Sequence, residues 1–171
     1  MRSRSNVTWF STKVRYQKTM EDGSEKVVTE NYLVDALSFT EAESAITDEM
    51  SVYVSGEFQV SGIAKAAYNE VFFSDVDDDD KWYKAKLQFI TIDEKTEKEK
   101  RSSVNYLVQA KSLARALRYV DEEMGKTMID YDTLGLNETN LMDVFEHQAP
   151  NKEEKNDVPE YEQGNAEQPA E

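Results

Sequence analysis

The sequence contains no cysteine, a single histidine, and no proline before residue 150. The missing cysteines exclude disulfides, thiolate metal sites and cysteine nucleophiles, and they fit a reducing, cytoplasmic setting. The lone histidine, His147, has no serine or cysteine motif beside it from which a nucleophile–base pair could be built. Six glycines are scattered along the chain, and none forms the spacing of a phosphate-binding loop. Long apolar runs are absent too. Met1-Arg2-Ser3-Arg4 is basic but no apolar stretch follows it, which argues against a signal peptide, and nothing approaches the ~18 apolar residues of a membrane span. Asp75-x-Asp77-x-Asp79 copies the start of a calcium loop. Asp80, however, stands where the turn glycine belongs, and Lys86 where the bidentate glutamate belongs. The chain therefore reads as a non-enzyme with no catalytic residues, no cofactor and no metal.

Positive charge is also scarce, with 20 Lys and Arg against 35 Asp and Glu, a net of −15. Taken whole, that disfavours nucleic acid, whose phosphates need Lys and Arg. The charge is unevenly placed, however. Residues 74–80 carry −5 and residues 148–171 another −5, which leaves −4 on residues 1–73 and −1 on residues 81–147. Pro150, Pro159 and Pro169 all fall in the last segment, among Glu, Gln and Asn. Such a composition cannot bury enough apolar surface to offset its ordering entropy. Residues 148–171 are read as a disordered acidic tail, 74–80 as a solvated acidic linker, and 1–147 as a single domain.

That domain contains an internal repeat. Trp9-Phe10-Ser11-Thr12-Lys13-Val14 aligns with Trp82-Tyr83-Lys84-Ala85-Lys86-Leu87 at an offset of 73. Asn31-Tyr32-Leu33-Val34-Asp35-Ala36 aligns with Asn105-Tyr106-Leu107-Val108-Gln109-Ala110 at an offset of 74. The longer register holds through Ser38/Ser112, Ala42/Ala116, Glu49/Glu123 and Met50/Met124, and the shorter one returns for Gly62/Gly135, Val71/Val144 and Phe72/Phe145. The repeats span 8–73 and 81–145.

Each copy has one plan. Residues 8–20 and 81–93 alternate and are rich in aromatic and β-branched residues, which predicts strands, followed by turns at Glu21-Asp22-Gly23-Ser24 and Asp93-Glu94-Lys95-Thr96-Glu97. Second strands are expected at about 26–36 and 101–110. Ser38-Phe39-Thr40-Glu41 has capping-box spacing, and Phe39, Ala42, Ala45, Ile46 and Met50 then share a helical face. Leu113, Ala116, Leu117, Val120 and Met124 do the same in the second copy. Residues 52–73 and 128–145 alternate again, as one bent strand or two short ones, with Gly62 and Gly135 near their middles. The expectation is an α+β fold in which a duplicated β-β-α-β(β) unit forms antiparallel sheet or sheets with two helices and pseudo-twofold symmetry. The helices would cover one face and leave the other to solvent or a ligand.

Strand alternation places Trp9, Lys13 and Arg15, and Trp82, Lys84 and Lys86, on that other face. Aromatic rings that stack on bases, flanked by cations, are how single strands are held without sequence readout. These six residues are therefore the candidate site for single-stranded DNA or RNA. The acidic tail would either occupy the same face in cis or recruit replication or repair proteins. The competing reading is a non-enzymatic protein-interaction or scaffold module, since Trp and Arg also anchor protein ligands. A DNA-mimicking inhibitor is a third, poorly served by nearly neutral repeats. Pairing of repeats within one chain or across a homodimer is left open.

The arrangement of an aromatic–basic β surface with an acidic C-terminal tail resembles phage and bacterial single-strand-binding proteins. This tail, ending Glu167-Gln168-Pro169-Ala170-Glu171, lacks their dense terminal cluster and aromatic. Tandem β-rich repeats with one helix each are also similar to the PUR and Whirly folds, though there the helix follows four strands rather than two. The opening Trp-Phe-Ser-Thr-Lys-Val-Arg-Tyr, with Asn-Tyr-Leu-Val-Asp-Ala and Ser-Phe-Thr-Glu-Ala-Glu, resembles a domain of unknown function of Bacteroidota and their phages over about residues 7–147. That resemblance implies an intracellular protein and transfers no chemistry.

Overall fold

A computed structural model describes residues 1–147, so the tail expected at 148–171 lies outside the described residues. The chain runs β1 (Arg2–Ser5), β2 (Trp9–Thr19), β3 (Glu25–Asp35), α1 (Phe39–Tyr53), β4 (Phe58–Ala66), β5 (Glu70–Phe73), β6 (Lys81–Ile92), β7 (Glu99–Ala110), α2 (Leu113–Gly125), β8 (Asp130–Glu138) and β9 (Leu141–Phe145). The fold is α+β, and the plan strand–strand–helix–strand–strand occurs twice. β1 was not expected from its Arg-Ser composition; it adds to the edge of β5, pairing Arg4 with Val71.

The local signals work as their chemistry requires. Gly23 takes the left-handed conformation, φ 84°, in the β2–β3 turn, and Glu97 takes the matching place in the β6–β7 turn at φ 54°. Each helix is capped by a serine. Ser38 Oγ accepts from the Glu41 N–H at 3.1 Å, and Ser112 Oγ accepts from the Arg115 N–H at 3.2 Å. Glu41 also accepts from the Leu37 N–H at 2.9 Å, which Arg115 cannot do at the corresponding place in α2.

The supply falls instead to the linker. Asp79, expected in a solvated acidic run, is buried. Its carboxylate accepts from the Lys111 N–H at 2.9 Å, Tyr119 Oη at 2.7 Å and Ser74 Oγ at 2.5 Å, and it faces Arg115 at 3.4 Å. Burial alone would raise the Asp79 carboxyl, but these donors outweigh it and hold the group below the usual carboxylate range. Asp75, Asp77, Asp78 and Asp80 are exposed, as a solvated linker demands.

Two sheets result, ordered β1-β5-β7-β6-β8 and β4-β2-β3-β9. Each of the long apolar segments is two strands, and the second strand changes sheet. β4 pairs with β2, but β5 continues into the other sheet beside β7. β8 pairs with β6, but β9 continues beside β3. The two halves thus exchange their last strands. The exchange corrects the expected all-antiparallel pattern: β5–β7 and β3–β9 are parallel, so both sheets are mixed. Strands that switch sheets make corners between packed sheets. Here they create a third core. α1 covers one sheet, its Ile46 in the same core as Phe10, Val14, Tyr32 and Val34. α2 covers the other, its Val120 in the same core as Leu87, Tyr106 and Val108. Between the sheets lie Trp9, Leu33, Val71, Trp82, Leu107 and Val144.

Candidate binding surfaces

The six residues assigned from strand alternation do face away from the helices, but that face is not one surface. Trp9 is 1% exposed and Trp82 is 2% exposed. They pack against each other's neighbours between the sheets, and Phe73 meets Trp82 edge-on with ring centroids 5.4 Å apart. The Trp82 carbonyl accepts from both the backbone N–H and the hydroxyl of Thr139, each at 2.8 Å. No ring is left for a base, so Trp9 and Trp82 are core residues and not stacking platforms. The physical reason is the strand exchange. β5 and β9 lay Val71 and Val144 beside the Trp ends of the hairpins, and the two sheets close there.

Farther along the same strands the faces open to solvent. Lys13, Arg15, Lys84 and Lys86 are exposed and make no ion pair among the described residues. Lys13 and Arg15 belong to one sheet and Lys84 and Lys86 to the other. Gly62 sits opposite Lys13, where an added Cβ would lie 3.6 Å from the lysine Cδ, in ordinary contact with it. Other cations are engaged. Arg4 bridges Asp35 and Glu146 at 3.0 Å each, and Arg2 donates to Glu146 at 2.8 Å.

Helical spacing groups Leu113 and Leu117 with Ala116, Val120 and Met124 on one face of α2, and the structure separates them, which the spacing alone does not show. Leu113 is 51% exposed and Leu117 41%. With Leu134, 50% exposed, they line an apolar groove of about 590 Å³ between α2 and the edge strand β8. Leu134 is the extra residue of a bulge, set between the Lys86–Gly135 and Leu87–Thr133 pairs. The first half has the same bulge, between Lys13–Gly62 and Val14–Val60, with Ser61 as the extra residue. The α1 position that matches Leu117 holds Glu43. The fold therefore accepts polar residues at both places, and the leucines of the second half are not required by packing. The signal was available in the repeat alignment, as two apolar-for-polar differences at otherwise matched positions.

The helix-terminal acids have geometry in common. Glu70 on β5 is raised above the usual carboxylate range by burial and by Glu123 at the end of α2. Asp143 on β9 is raised by burial and by Glu49 of α1, against a hydrogen bond from the Val144 N–H. Glu123 also accepts from Lys126 Nζ at 2.9 Å, and Glu49 meets His147 Nε2 at 3.1 Å. Among the described residues no group of three or more His, Asp or Glu side chains is placed to hold a metal ion.

These features define an α+β chain of two strand-exchanged mixed sheets, each backed by one helix, with an open apolar groove beside α2 in the second half. The chain belongs to the family described as a domain of unknown function (DUF4494), whose model matches residues 8–147. No curated protein and no solved structure matches it. No helix among the described residues is long and apolar enough to cross a membrane.

Proposed function

We infer that the chain is a non-enzymatic interaction module that engages a protein partner through the α2–β8 groove. The observation that carries this reading is the cluster of exposed leucines, Leu113, Leu117 and Leu134, where matched positions of the first half hold Glu43 and Ser61 for the last two. A cluster of exposed apolar side chains that the fold does not need supports an interaction surface, since covering it gains roughly 25 cal/mol per Å² of apolar area. Single-stranded DNA or RNA is the second reading, supported by the four unpaired cations Lys13, Arg15, Lys84 and Lys86 and weakened by the loss of both stacking rings. Without stacking, such binding would rest on phosphate contacts and fall steeply with salt. Replication or repair proteins as partners of the acidic tail remain a proposal of the sequence, on residues outside those described.

One photocrosslinking experiment separates the two. A benzophenone side chain is placed at position 117, 134, 13 or 86 of the full chain in its native cells. Protein adducts at 117 and 134 that persist after nuclease treatment are the expected result. Nuclease-sensitive adducts confined to 13 and 86 would replace the first reading by the second.

A further inference from the structure

We propose that the pocket between the end of α1 and the edge strand β9 receives a guanidinium group, the arginine side chain of a partner protein. The pocket shares no residue with the α2–β8 groove, so neither site depends on the other.

The first ground is a set of ring faces. β9 joins β3 in parallel and sets Asp143 beside Tyr32. Phe145, two residues on, lies on the same face of the strand. Its ring stacks on Tyr32 with centroids 5.5 Å apart and planes 17° from parallel. Tyr53, the last residue of α1, continues the series against Phe145 at 6.4 Å and 26°, and it is 67% exposed. Ring faces carry partial negative charge and attract cations. A guanidinium is planar and stacks on them, whereas an ammonium is a compact, strongly hydrated charge.

The second ground is an acid without a cation. Asp143 lines the same pocket, is half-buried, and makes no ion pair among the described residues. It accepts from the Val144 N–H at 2.8 Å. Burial and Glu49 of α1 both disfavour its charge, and His147 Nε2 meets Glu49, at 3.1 Å, rather than Asp143. A guanidinium would bring a positive charge together with a fork of N–H donors for this carboxylate. Arg2 shows the same combination within the chain. Its guanidinium carbon lies 4.5 Å from the Phe73 ring centre while it donates to Glu146 at 2.8 Å.

Size and origin narrow the ligand. The cavity, about 140 Å³, is below the roughly 300 Å³ at which sites for whole small molecules begin. It takes the end of a side chain and leaves the rest outside. Residues 148–171 contain no arginine, so that segment cannot supply it. The repeated plan does without the stack. In the second half Phe72 and Tyr106 meet edge-on at 75°, and Thr127 stands at the place of Tyr53. Asn69, at the place of Met142, accepts from the Asn105 N–H.

The test adds Nα-acetylarginine amide, or its citrulline or lysine counterpart, to the full chain and follows the Met142 methyl and the Tyr53 ring by NMR. The arginine probe is expected to shift both, with a dissociation constant on the order of 1 mM for a single residue. Citrulline, which keeps the shape and loses the charge, should bind about tenfold more weakly, and lysine about fivefold. Asp143→Asn should weaken the arginine probe about tenfold, and Tyr53→Thr, which copies the second half, about threefold. The three probes on the wild-type chain decide the matter should a variant misfold. Lysine or citrulline binding as well as arginine, or no shift with any probe, would overturn the site. Free arginine binding more tightly than the blocked form would overturn the protein source in favour of the amino acid. Shifts that grow with protein concentration alone and vanish in Arg15→Gln would replace the partner by a second copy. Crosslinking at 117 and 134 is untouched by each of these outcomes.

Discussion

Asp79 shows how much one residue can differ from the composition around it. Five aspartates in seven residues read as a solvated run, and four of them are exposed. The fifth turns inward because the second helix begins Ser112-Leu113-Ala114-Arg115, which puts an arginine where the first helix has Glu41. The amide that Glu41 satisfies at Leu37 has its match at Lys111, and Asp79 satisfies it from a distant part of the chain. Removing the carboxylate leaves that amide, the Tyr119 hydroxyl and the Arg115 guanidinium without their acceptor. Asp79→Ala should therefore cost about 3 kcal/mol in urea unfolding, in the range of broken buried charge pairs, whereas Asp78→Ala should be near neutral. The group's pKa is depressed in the fold, so its contribution is present above the unfolded value and is lost as pH falls through the folded one. A loss below 1 kcal/mol would mean that the linker, not the carboxylate, positions α2.

Among the elements, β5 and β9 have the largest consequence for their length. Each is short, four and five residues, and each completes the sheet of the other half. A fragment of residues 1–77 would keep β5 but lose the strand β7 it pairs with, and its own sheet would lack β9. Residues 78–147 would be deprived in the same manner. Neither fragment alone should unfold cooperatively, and an equimolar mixture should recover the native circular dichroism and a single unfolding transition. Independent folding of either piece would show the exchange to be dispensable. Apart from β1, the strands, turns, caps and helices were legible in the sequence because each depends on neighbours within a few positions: Ser38 and Ser112 for caps, Asp22-Gly23 for a turn, alternation for the hairpins. Strand exchange depends on which sheet Val71 and Val144 join, and alternation is blind to that. The same blindness misplaced Trp9 and Trp82. Period two separates a strand's faces but does not say whether the face opposite a helix meets water or a second sheet.

For the whole molecule, that opposite face is divided, and the division governs charge as well as binding. The Trp ends are sealed into the central core, the Lys13 and Lys86 ends are open, and the apolar groove lies on the far side of the second sheet, under α2. Of the six residues picked from the sequence, the four cations keep a surface position and the two rings do not. The strand exchange also sets like charges beside each other under the helices, in two places related by the repeated plan, Glu70 near Glu123 and Asp143 near Glu49. Both Glu70 and Asp143 have pKa values raised above the unfolded ones. The folded state therefore binds protons more tightly at these two sites. Their contribution is fully present below the unfolded carboxylate values, about pH 4, and is lost as pH rises through the raised folded values. At neutral pH the ionised pair is a liability that neither Lys126 nor His147 removes, since each contacts only the helix-borne partner. Glu70→Gln combined with Asp143→Asn should raise the urea midpoint at neutral pH, and the gain over wild type should shrink to nothing as pH falls below about 4. A double variant no more stable than wild type at neutral pH, or one whose advantage persists in acid, would show that the acids at the helix ends are adequately solvated. The net charge of −15 would then weigh on the molecule only through its exposed carboxylates.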